Sequence, residues 1–148
     1  MKNKSLVSIL LPIIVIVFGG VLLVALGWLA YAGISAIIES LFYQNVPQSM
    51  PQGTVRNISV LLFCMVILAI LQTKIHNLVK AMLLVGPLTM VIIATTLQFY
   101  TNVWIFIGLI LVEVIVSGFI IYRLKKPWFF YVSLVFSTVL GLLYAWPR

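Results

Sequence analysis

Few side chains in this sequence could do chemistry, and one stands apart. The chain has two acids, Glu39 and Glu113, one histidine, His76, one cysteine, Cys64, and no aspartate. Glu113 sits near the middle of Val103–Tyr122, a stretch otherwise free of charge. An ionisable group at the centre of a bilayer costs roughly 2.5–3.5 kcal/mol on insertion scales, so such a residue is by default a functional-site hypothesis. A carboxyl at that depth can carry a proton or hold a cation. Ser117 follows one turn later on the same helical face and could hold the carboxyl directly. Bonded to Ser117 or to a neighbouring helix, the same carboxyl could instead serve helix association alone.

Catalysis finds little support. Without aspartate there is no Ser-His-Asp triad, aspartyl dyad or Asp-based magnesium site. The two glutamates fall at different depths, and one histidine supplies neither a bis-His haem nor a His-rich zinc site. Cys64 excludes an internal disulfide and any multi-cysteine metal site. No glycine loop that could cradle a phosphate precedes a helix. The chain is therefore expected not to be an enzyme, with no cofactor and no metal. His76 lies among Lys74, Asn77 and Lys80 and reads as a surface residue of a short turn.

The elements that must position Glu113 follow from composition. The sequence is 64% hydrophobic and only 7% charged, far from the mixed charged surface of a soluble domain. Apolar runs long enough to cross a bilayer recur along it. The expected fold is an all-α, polytopic integral membrane bundle forming a single domain over residues 1–148. Five spans fit: about 6–31, 56–73, 81–99, 103–122 and 128–146, with an outer loop over 44–55 marked by Pro47, Pro51 and Gly53. The apolar run from Leu6 to Ile38 is too long for a secretory signal core and reads as a retained first span. Its excess length, about 50 Å for 33 helical residues, predicts either a continuing helix or, preferred here, an outer interfacial segment over Ala32–Tyr43 bent at Gly33.

Charge sets the orientation. With the N-terminus in the cytosol, Lys2, Lys4, Lys74, Lys80, Arg123, Lys125 and Lys126 lie inside, and only Arg56 and Arg148 outside. That satisfies the positive-inside rule and places the C-terminus outside. Tyr122 and Trp128 then mark the inner boundary, and Tyr43, Tyr100, Trp104, Tyr144 and Trp146 the outer one. The net charge of +7 is thus spread over helix boundaries, and no basic face interleaved with aromatics exists to track nucleic acid. Arg56, at the outer mouth of the second span, is the exception. It can snorkel, pair with Glu39, or attract an anion.

Counting to mid-depth in each span places Gly19 and Gly20, Cys64, Thr89, and Ser137 with Thr138 level with Glu113. If they converge, Glu113, Ser117, Thr89, Ser137 and Thr138 form a small ion- or substrate-binding site at the depth many transporters use. Ser133, Ser137, Gly141 and Ala145, four apart, form a small-residue seam for close helix contact, within the chain or with another subunit. Gly86-Pro87 predicts a kink in the third span.

The expected function is a small transport component: a channel, carrier or transporter module. The alternative is a non-catalytic accessory or assembly subunit of a larger membrane complex, and an intramembrane enzyme or lipid-handling protein ranks last. The expected partners are the lipid bilayer and either a second copy or another membrane subunit, with no nucleic acid. The basic asymmetry suits a prokaryotic plasma membrane.

Overall fold

The computed structural model describes residues 2–42, 52–99 and 102–145. Five helices follow in order: α1 (Lys2–Phe42), α2 (Gln52–Gln72), α3 (Asn77–Phe99), α4 (Val103–Arg123) and α5 (Phe129–Ala145). There is no strand among the described residues. Four helices, α1 to α4, are long and apolar enough to cross a membrane, and α5 is a shorter apolar helix.

Helix starts fall earlier than hydropathy alone suggests. α2 begins at Gln52, directly after Pro51, so Gln52–Val55 is helix where a loop was expected. The rest of that loop, 44–51, lies outside the described residues. α3 likewise takes in the polar turn Asn77–Lys80 ahead of its apolar run. Asn102 caps α4: its side chain accepts from the Trp104 and Ile105 amides, two donors that have no partner within the helix.

The first helix continues through the break expected at Gly33. α1 runs unbroken for 41 residues through Gly33 to Phe42, about 60 Å at 1.5 Å per residue. An added Cβ at Gly33 would meet nothing within 4 Å, so no neighbour forces a bend there. Tyr43 lies outside the described residues.

α3 is the centre of the bundle. It packs against α1, α2 and α5 along its length and more sparsely against α4. It is also the one long apolar helix largely buried by its neighbours. Its register with α1 advances in step: Gly20 meets Val85, Gly86 meets Leu23, and Gly27 meets Met90. Gly86 has a specific reason. A Cβ there would stand 3.0 Å from the Leu23 carbonyl oxygen, so only glycine lets the two backbones approach this closely. Pro87 sits inside α3 without ending it.

α5 runs parallel to α3 in the same stepwise way. Ser133 donates to the Ala81 carbonyl, Ser137 faces the Val85 carbonyl, and Gly141 packs on Ile92 and Thr89. The small-residue seam of α5 therefore closes on α3 within the chain. The side chain of Ala145, its last member, is not among those described.

α2 and α3 are antiparallel and joined at both ends. Arg56 Nη1, in the first turns of α2, donates to the Leu97 carbonyl at 2.7 Å. Lys80 Nζ, in the first turn of α3, lies 3.4 Å from the Leu71 carbonyl. Each cation meets one of the last carbonyls of the partner helix, which lack an intrahelical donor and sit at the negative end of the helix dipole. To the three roles open to Arg56 the structure adds a fourth contact, the Leu97 carbonyl; Glu39 itself is exposed.

Candidate functional site

α2 and α4 both lie against α3 but do not meet each other. Between them a cleft of about 370 Å³ opens, lined by Cys64, Ile67 and Leu68 of α2, Leu88, Val91 and Ile92 of α3, and Val112–Val114, Val116 and Ser117 of α4, with Leu134 of α5 at its edge. Almost everything on this surface is apolar. Glu113 is the only charged residue on it. Its Oε2 is buried with no hydrogen-bond partner. A buried polar atom without a partner costs about 1–3 kcal/mol, and more for a charged one.

Three polar groups surround the carboxyl. Cys64 faces it across the cleft from α2. Ser117 lines the same cleft one turn along α4, but no hydrogen bond joins it to Glu113 among the described residues. Thr95 of α3 is the third polar group near the carboxyl. Thr95 Oγ1 itself donates back to its own helix, 2.9 Å from the Val91 carbonyl and 3.1 Å from that of Ile92.

The remaining residues expected at this site are elsewhere. Thr89 is fully buried and donates to the Val85 carbonyl at 2.7 Å. Ser137 is fully buried and donates to the Ser133 carbonyl at 2.7 Å, with the Val85 carbonyl at 3.4 Å. Thr138 donates to the Leu134 carbonyl at 2.8 Å. None of the three lines the cleft. Gly19 and Gly20 pack on Met82 and Val85. The single mid-depth cluster is therefore two separate places: a closed seam between α3 and α5, and an open cleft between α2 and α4. Equal depth does not make residues neighbours; the face of the helix decides that.

Other buried polar atoms also lack partners: Trp28 Nε1, Ser59 Oγ and Thr96 Oγ1. Neither Ser59 nor Thr96 borders the cleft. Trp28 borders a void of about 20 Å³ beside Tyr31 and Arg56, room for a single water. Among the described residues, Glu113 alone combines a buried, unpartnered oxygen of an ionisable group with a cavity large enough for a ligand or several waters. Among the described residues no group of three or more His, Cys, Asp or Glu side chains could hold a metal.

The cleft continues toward the end of the bundle that carries Arg123. A second hollow of about 360 Å³ is lined by Leu68, Leu71, Gln72, Phe119, Ile120, Arg123 and Leu124. Leu68 belongs to both hollows. The turn beyond it is well defined: Lys126 N–H donates to the Ile121 carbonyl and Lys125 N–H to that of Tyr122. That is the paired bonding of a Schellman cap. Lys125 takes φ 49°, where glycine is usual.

Compared with known proteins, the chain matches no family model, no curated protein and no solved structure.

Proposed function

We propose that this chain is a five-span integral membrane protein acting as a transport component, with Glu113 as its proton- or cation-binding group. The observation that carries this reading is the Glu113 carboxyl: one oxygen buried without a partner, on the wall of a cleft that is otherwise apolar. A purely structural carboxyl would be expected to be fully bonded. A proton is favoured over a metal ion because no second acid or histidine stands with Glu113 on the cleft wall to complete a metal-ligand set.

The membrane reading rests on the four long apolar helices and on the exposed faces of α1, α2 and α4. α5, at 17 residues, is at the short limit for a span. The parallel registers of α1, α3 and α5, with α2 antiparallel to α3, fit alternate crossing of one bilayer. On that topology the Lys74, Lys80 and Arg123 end faces the cytosol and the Arg56 end faces outward, consistent with a prokaryotic plasma membrane. A cleft open on one side suits completion by a second copy or another subunit.

The accessory-subunit alternative draws on a different observation: the minimal loops and the extensive exposed apolar surface of α1. Reconstituted proteoliposomes separate the two. With an imposed pH gradient, wild-type protein is expected to pass protons, and Glu113→Gln to reduce that flux by tenfold or more while keeping its helicity and its elution volume. A flux unchanged in Glu113→Gln would remove Glu113 from the function.

A further inference from the structure

The hollow between α2 and α4 has a length, a lining and a charge at its mouth that together describe a ligand. From Glu113 to Arg123 is ten residues, about 15 Å of helix at 1.5 Å per residue. That is half of the roughly 30 Å hydrocarbon core, the depth of one leaflet. The wall along this length is apolar, formed by Leu68, Leu71, Phe119 and Ile120. At the mouth stand the Arg123 guanidinium and the Gln72 amide, both exposed. The Schellman turn brings Lys125 directly after this mouth, Lys126 turns its ammonium over the Phe130 ring, 5.7 Å from the centroid, and Lys74 follows α2 at the same end.

We propose that this groove is a binding site for one anionic phospholipid, with its headgroup phosphate at Arg123 and Gln72 and one acyl chain lying along Leu68 toward Glu113. Charge decides between this occupant and a second copy of the chain. A second copy docked by the same groove would bring its own Arg123, with Lys125 next to it, to a mouth already carrying those charges. An anionic headgroup neutralises them, with a gain of about fivefold in affinity per basic residue near the surface. The acyl chain covers apolar wall that neither α2 nor α4 can cover, because the two helices do not touch. The inference does not depend on Glu113 titrating, and its test makes no use of proton flux.

The test uses the purified full chain in nanodiscs of phosphatidylcholine containing a minor fraction of phosphatidylglycerol, released into the gas phase for native mass spectrometry. Wild type is expected to retain one phosphatidylglycerol per chain, at least about fivefold in preference to phosphatidylcholine. Arg123→Gln is expected to lose that preference while still retaining lipid. Leu68→Trp, which fills the groove where its two hollows join, is expected to retain neither lipid. Equal retention of the two lipids by wild type, an unchanged preference in Arg123→Gln, or a lipid-free dimer would each overturn the proposal. Circular dichroism of both variants separates a lost site from a lost fold.

Discussion

Along the α3–α5 seam each hydroxyl ends on a backbone carbonyl, whereas in the α2–α4 cleft a carboxyl oxygen ends on nothing. Ser133, Ser137 and Thr89 are fully buried and bonded, and Gly141 brings α5 close enough for those bonds to form. Glu113 is the more costly group to bury, yet its Oε2 has no partner. Residues of similar depth and similar rarity therefore play different parts. The seam uses polarity to hold two helices together. The cleft keeps polarity available.

That contrast can be broken by substitution. The largest effect is expected at Gly141→Leu. A Cβ at this position already meets Ile92 Cγ2 at 2.5 Å, so the larger side chain must push α5 off α3 at a cost of about 2–3 kcal/mol. Unfolding in mixed detergent micelles measures it; a neutral result would mean the two helices are not in contact there. Arg56→Met removes the donor to the Leu97 carbonyl and should cost about 1.5 kcal/mol, the range for hydrogen bonds to charged groups. A loss much below that would mean water or headgroups replace the guanidinium. The smallest effect has the opposite sign. Lys125→Gly relieves the left-handed φ of 49° and should stabilise by about 1 kcal/mol, offset in part by the greater freedom of glycine when unfolded.

Much of the fold is legible in the sequence and much of the site is not, for one physical reason. Hydropathy reports how long a helix can stay in an apolar medium, so α3 and α4 fall close to their expected bounds. The start of α3 moves by a turn because polar residues such as Asn77–Lys80 can be helical without being apolar. The length of α1 is also visible, but its course past Gly33 is not, since a glycine permits a bend without requiring one. For the site, counting residues gives depth alone. It places Thr89 and Ser137 level with Glu113 but cannot say that they face each other and not the carboxyl. Thr95, which does face it, lies six residues further along α3. The adjacent pair Thr95-Thr96 in an apolar span was the available signal. The reciprocal caps of Arg56 and Lys80 were equally hidden, because both partners are backbone carbonyls.

The most direct measurement is the protonation of Glu113 itself. Infrared difference spectra of the reconstituted protein between acidic and alkaline pH, with Glu113→Gln as the reference, isolate the carboxylic acid C=O band of this residue. If the cleft holds a carboxyl that exchanges its proton, that band is present at low pH, disappears as pH rises, and is missing throughout in Glu113→Gln. A Glu113 band that stays constant across the whole range would show a permanently neutral acid and contradict a proton-carrying role.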